Sequence, residues 1–431
     1  MFDVAVSCLV LTAFLSYLNH RFIGLPTTIG VMGIALLFSL ALFGLDILGF
    51  SALRDYEVSL LSSVDFSVLL MQGMLSLLLF AGALHVDLSE LKSHKWQVGI
   101  LAIFGTLAST ALVGFGLWAI LPYTGAALPL SYCLIFGALI SPTDPIAVMG
   151  ILKSAGAPKS LAIVIAGESL FNDGVGVVLF SLMLAMVSSG EAPTVAHGAM
   201  LLLEEGGGGI AFGLALGYLT YYMLKSIDSY QEEVLITLAA VLGGYALASR
   251  LHVSGPLAMV VVGLIIGNHG RALAMSDKTR QNVDMFWELL DSILNAVLFV
   301  LIGLEVILIE FSTGLALAAA AVIALTLTAR LLSVGVPISL MSRVFKLPQG
   351  ALRVLTWGGL RGGISVALAL SLPAGPERDL VLTLTYAVVV FSILVQGLSI
   401  GKVVRVVSTS DNLNLNQSQA SLLSHSSERE F

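Results

Sequence analysis

The sequence predicts an all-α polytopic membrane protein of about thirteen spanning helices, two of them broken. Three observations lead there. The chain of 431 residues is 57% hydrophobic and only 11% charged, which is too little charge to cover the surface of a soluble protein of this size. Its apolar residues fall into about thirteen runs, most of them long enough to cross ~30 Å of hydrocarbon. Two of the runs are interrupted by Pro- or Gly-rich stretches, SPTDP at 141–145 and WGGLRGG at 357–363. The formal net charge of −7 says little, because the charges sit in loops on two sides of a bilayer. Nothing in the composition points to nucleic acid.

The runs lie near 4–19, 25–45, 66–84, 96–121, 129–153, 160–188, 197–224, 232–250, 255–268, 284–309, 314–341, 349–373 and 380–401. The first has no basic residue before it and is followed by His20 and Arg21. It therefore reads as a first span with its N-terminus outside the cytoplasm and not as a cleavable signal peptide. From that start, fifteen of the twenty Lys and Arg residues fall on the cytoplasmic side. Only Arg54, Arg250 and Arg378 fall outside, and Arg330 and Arg361 lie within spans. Moving the count by one helix destroys this positive-inside bias, so it supports thirteen spans and a cytoplasmic C-terminus; the expected location is the plasma or inner membrane. Residues 406–431 are polar and Ser/Asn-rich and are expected to be a disordered cytoplasmic tail.

Smaller features read plainly. Cys8 and Cys133 sit in apolar runs as small core residues. His85 and His94 read as solvated loop residues. GGGG at 206–209 lacks the Lys and the strand of a phosphate loop and suits close helix approach. The tenth run opens with Glu288, Asp291 and Asn295 at i, i+3 and i+7 after Trp287, either a water-lined face or an interfacial helix start.

The runs also repeat. The first six and the last six form two sets with the seventh as connector. A single connecting span gives the two sets opposite topology. The interrupted fifth and twelfth runs then occupy matching positions, the pattern of a transporter site at the bilayer midplane.

The chemistry concentrates at 137–176, where Asp144, Glu168 and Asp173 lie inside apolar runs. A charged side chain at bilayer depth costs at least ~2.5–3.5 kcal/mol, so three together need a partner, a task or a water-filled cavity. In the sixth run Glu168 and Asn172 are i,i+4, as are Ser169 and Asp173, which puts all four on one helix face. Asp173, Ser169 and Glu168 supply the oxygens a hard cation needs, and the broken backbone at Thr143 supplies carbonyls. Asn172 can orient a carboxylate or hold a broken end. Asp144 suits the positive ends of half-helices, and Arg361 the negative ends. A carboxylate is also a proton site, so cation and proton would compete for Asp173.

GESLFNDGVGVVLF and SPTDPIAV, followed downstream by WGGLRGGISVALAL, resemble the monovalent cation–proton antiporter family of the NhaP and sodium–proton exchanger type, over about residues 1–405. The resemblance implies an NhaA-like antiporter fold with broken, crossing helices and exchange of Na⁺ (or Li⁺) for H⁺; because Asn172 cannot titrate and an arginine is expected to hold Glu168 ionised, that exchange is expected to be electroneutral. It implies no cofactor beyond the transported ions and no enzymatic activity. The family's transport aspartate matches Asp173, its preceding asparagine Asn172, and its site glutamate and serine Glu168 and Ser169. Its main-chain threonine matches Thr143, beside Asp144, so that Na⁺ would be held by Asp173, Ser169, Glu168 and Thr143. Two family arginines match Arg330 and Arg361, and either could pair with Glu168. The family forms homodimers in lipid and slides a core domain against a dimerisation domain. Here that implies dimerisation helices in 1–95 and 229–312, core helices in 96–190 and 313–405, and a connector at 191–228. The short tail departs from the animal exchangers, which carry a large regulatory domain. K⁺/H⁺ exchange by the same mechanism is the nearest alternative. An intramembrane aspartyl protease using Asp144 and Asp173 is a remote one, since Phe-Asn precedes Asp173 where such proteases commonly carry Gly-x-Gly.

Overall fold

The computed structural model describes residues 2–47, 73–189, 200, 203–305, 313–341, 347–348 and 350–407. All regular structure among them is helical. The chain runs α1 (Phe2–Leu18), α2 (Thr27–Ile47), α3 (Leu75–Leu84), a short α4 (Leu88–Ser93) and α5 (Lys95–Thr124). It continues through α6 (Leu130–Ile140), α7 (Ile146–Ser154) and α8 (Lys159–Ser189) to α9 (Gly208–Lys225), α10 (Tyr230–Arg250) and α11 (Gly255–Gly270). Last come α12 (Asp277–Glu305), α13 (Thr313–Leu340), α14 (Ala351–Trp357), α15 (Gly363–Leu370) and α16 (Pro376–Val407). With α6–α7 and α14–α15 counted as one crossing each and α4 set aside, these are the thirteen segments that hydropathy predicts. Among the described residues, eight helices are long and apolar enough to cross a membrane. The start of the third run, at 66–72, and the predicted tail from 408 onward lie outside the described residues. So do Arg54, Arg343, Lys346 and Arg429 of the charge count.

Most helix ends follow local signals. Ser254 caps α11, its hydroxyl accepting from the Leu257 N–H at 3.4 Å, with Pro256 in the first turn. Pro376 opens α16. The tenth segment starts well before its hydropathy boundary. Its first turn is polar, with Ser276 accepting from the Thr279 N–H at 3.4 Å and Arg280 paired to Asp277 at 3.2 Å. A hydropathy window cannot see such a start.

α5 packs on α6 and α13, and α16 packs on α13 and α6. On the other side α2 packs on α12, and α11 on α3 and α9. Gly137 lets α6 lie close against α5: a Cβ there would lie 3.0 Å from the Gly114 nitrogen and closer still to the Thr110 carbonyl. Large apolar side chains such as Leu9, Val10, Phe14, Phe115 and Trp118 remain exposed, as lipid-facing residues are.

The two broken segments cross at their breaks. Pro142 and Pro145 lack an N–H, so the α6–α7 backbone cannot run on as one helix. The intervening Asp144 N–H instead donates to the Leu360 carbonyl of the α14–α15 break at 2.8 Å. Each break thereby gives the other a partner for a backbone group that its own helix no longer satisfies.

Candidate ion-binding site

α8 carries Glu168, Ser169, Asn172 and Asp173, each at most 6% exposed. Successive positions on the same face point to three different neighbours. Asn172 and Ser169 meet the α6–α7 break. The Asn172 Oδ1 accepts from the Thr143 N–H at 3.2 Å, and its Nδ2 donates to Thr143 Oγ1 at 2.9 Å. The Ser169 and Thr143 hydroxyls bond at 2.8 Å. Together they grip Thr143, itself 2% exposed, by backbone and side chain.

Glu168 turns toward α13. Both of its carboxylate oxygens accept from Arg330, Nη1 donating to Oε1 and Nη2 to Oε2 at 3.0 Å. Arg330 also donates from Nε and Nη2 to the Leu355 carbonyl at 3.2 and 3.1 Å, near the C-terminal end of α14. A two-pronged pair that engages both carboxylate oxygens is the form in which a buried ion pair is best satisfied.

Arg361 does not reach Glu168 with a hydrogen bond. Its Nη1 donates to the carbonyls of Ser141 and Pro142, the latter at 2.9 Å, where α6 ends. Its backbone N–H is held by the Ser392 hydroxyl at 2.8 Å. Asp144 lies against Gly362, where a Cβ would come within 2.7 Å of the Asp144 Cβ, so the position before α15 has room only for glycine. The acid thus sits at the N-terminal ends of α7 and α15 and the base at the C-terminal end of α6, each matched to the half-helix dipole it faces.

Asp173 has neither kind of partner. Among the described residues it accepts no hydrogen bond and pairs with no base. It opens into a cavity of about 70 Å³ shared with Thr143, Asp144, Asn295, Ser365 and the apolar side chains of Leu75 and Leu298. That is room for an ion with a few waters. Of the predicted ligands, the structure therefore brings Asp173 and Thr143 to one cavity, together with Asp144, which was expected only to match the broken helix ends. It holds Ser169 and Asn172 behind Thr143 and sets Glu168 against Arg330. Asn295 and Ser365 are additions. Asn295 had a signal in the polar stripe of the tenth run, and Ser365 is a lone hydroxyl in the first turn after a break.

A larger cavity, about 370 Å³, is lined by His85, Asp87, Glu90, Lys159, Met149 and Ala166, among others. Ala166 precedes Asp173 by seven residues on α8, about 10 Å along the helix. Asp87 caps α4; the Ser89 hydroxyl and the Ser89 and Glu90 N–H groups hold its carboxyl below the usual carboxylate range.

Residues 10–406 match the family described as sodium/hydrogen exchanger, transmembrane. The Na(+)/H(+) antiporter NhaP of Pseudomonas aeruginosa is 57% identical over 410 residues, covering 94% of this chain and 96% of its own length. The Na(+)/H(+) antiporter NhaH of Halobacillus dabanensis is 36% identical over 375 residues, covering 85% and 90%. The structure of the sodium proton antiporter MjNhaP1 from Methanocaldococcus jannaschii at pH 8 superposes with a TM-score of 0.73 at 19% identity, covering 93% of this chain and 97% of that one. That last likeness is one of fold.

Proposed function

Because the chain belongs to the sodium/hydrogen exchanger family, we propose that it is a secondary-active, electroneutral antiporter and not an enzyme, exchanging Na⁺ (or Li⁺) for H⁺ with both ions competing for Asp173. The observation that carries this reading is the contrast between two acids on one helix. Glu168 has both oxygens committed to Arg330, while Asp173 faces the cavity with no base beside it among the described residues. A buried carboxylate without a base needs a proton or a cation to neutralise it, and either one completes the site. The empty, charged site is the costly one to carry through the bilayer, so exchange is coupled.

In this reading Thr143 and Asp173 hold the cation from the cavity, Ser169 and Asn172 fix Thr143, and Glu168 with Arg330 fixes α8 against α13. Asp144 and Arg361 neutralise the broken helix ends. The moving unit is the core of residues 96–190 and 313–405, which packs through α5, α6, α13 and α16. It slides against 1–95 and 229–312, with 191–228 as connector, in a homodimer in the cell membrane with its C-terminus cytoplasmic. The test is reconstitution into liposomes with an acid-inside pH gradient and addition of Na⁺, Li⁺ or K⁺. Dissipation by Na⁺ and Li⁺ supports the reading, dissipation by K⁺ alone makes the protein a K⁺/H⁺ exchanger, and none by any cation refutes it.

A further inference from the structure

The cavity beside Asp173 is completed from across the domain boundary by α12, and the polar stripe of that helix has no place yet in the mechanism. Trp287 sets the rotation of α12. It is fully buried, its indole Nε1 donates to Thr237 Oγ1 of α10 at 3.1 Å, and its ring lies 4.5 Å from that of Phe80 on α3. Two turns on, that rotation brings Asn295, 3% exposed, into the cavity with Asp173, Thr143 and Asp144. The orientation of its amide follows from its partners. Nδ2 donates to the Asp291 carbonyl at 2.9 Å and to Asp291 Oδ1 at 3.1 Å, and both partners are acceptors. The carbonyl oxygen of Asn295 is left as the acceptor, and no donor among the described residues takes it. Asp291 is half-buried one turn before Asn295, and Glu288 is exposed about a turn before that. The stripe thus runs from an exposed acid through a half-buried acid to a buried carbonyl at the cavity.

We propose that Asp291 and Asn295 form a staging site for the monovalent cation on the face where α12 begins. Asp291 draws the hydrated cation in and offers the first carboxylate oxygen, and Asn295 Oδ1 replaces a water as the ion passes to Asp173. The inference rests on the antiport reading. It makes affinity sided, because the stripe reaches only one mouth of the site.

The test compares Na⁺-dependent proton movement in everted and right-side-out membrane vesicles carrying the full chain. With Asp291→Asn, the apparent KM for Na⁺ presented at the face where α12 begins should rise by up to about fivefold, the effect of losing one solvent-screened charge contact. The KM from the opposite face should change little. The difference should shrink when ionic strength is raised with choline chloride, since attraction by a half-exposed acid is screened. Asn295→Ala, which keeps the charge, should raise the same one-sided KM without the salt dependence, and it carries the prediction if Asp291→Asn fails to fold. An unchanged KM in both variants, or an equal rise at both faces, overturns the staging site while leaving the antiport reading intact. A parent protein with no Na⁺-driven proton movement overturns both.

Discussion

The guanidinium of Arg330 takes both carboxylate oxygens of Glu168, across the contact between α13 and α8. Five residues along α8, Asp173 has no basic partner among the described residues. The pairing divides two acids on one helix into a fixed charge and an exchangeable one. It also joins the Arg330 helix to the broken α14 through the Leu355 carbonyl, so the pair ties together α8 of the first six-helix set and α13 and α14 of the second.

Replacing Asp173 by Asn should abolish exchange, because the amide can neither bind a proton at working pH nor offer a charged ligand. Folding should survive and thermal stability should hold or rise, since the variant removes a desolvated charge. The check is melting temperature together with Na⁺-driven proton movement in liposomes. Appreciable transport by a folded Asp173→Asn protein would remove this carboxylate from the mechanism.

Glu168→Ala leaves Arg330 buried and unpaired, which typically costs ~3–5 kcal/mol. A large fall in melting temperature should accompany the loss of activity. A double-mutant cycle should show strong coupling between Glu168 and Arg330 and near-additivity between Glu168 and Arg361, whose Nη1 donates instead to the Ser141 and Pro142 carbonyls. Coupling of equal size with both arginines would contradict the geometry.

Two glycine substitutions separate close packing from propensity. Gly137→Ala pushes a methyl group into the backbone of α5 at Thr110 and Gly114, which cannot move aside as a side chain can, so a loss of about 1–3 kcal/mol is expected. Gly243 is exposed within α10 and a Cβ there meets nothing within 4 Å. Gly243→Ala should be neutral or slightly stabilising. Melting curves of the two variants in one detergent check both, and equal destabilisation would count against the α5–α6 contact.

Much of this was legible from residue order. Hydropathy located the thirteen segments because a helix must satisfy its own backbone in lipid, and Pro142, Pro145 and the Gly run at 358–363 announced where two of them break. The i,i+4 spacing put Glu168, Ser169, Asn172 and Asp173 on one face. Spacing along one helix could not say which neighbour each of them meets. Whether Glu168 pairs with Arg330 or Arg361 depends on how α13 and the α14–α15 break sit against α8, a matter of tertiary packing. Likewise Asn295 reaches the cavity only because Trp287 fixes the rotation of α12. The polar first turn of that helix escaped hydropathy for the opposite reason: its caps and ion pair are soluble-protein signals at the end of a membrane segment.

The central claim is that one carboxylate alternates between one proton and one cation. Asn172, beside Asp173, cannot titrate, and Glu168 is held by Arg330. On the proposed reading, one H⁺ moves against one Na⁺ and no net charge crosses. An elementary charge crossing 100 mV is worth about 2.3 kcal/mol, so any imbalance would show as voltage sensitivity. The direct measurement is antiport in proteoliposomes under a K⁺/valinomycin potential at fixed Na⁺ and H⁺ gradients. The account predicts an equilibrium point that does not move with the imposed voltage; a point that shifts with voltage would mean that a second group, Glu168 or Asp144, also carries a proton.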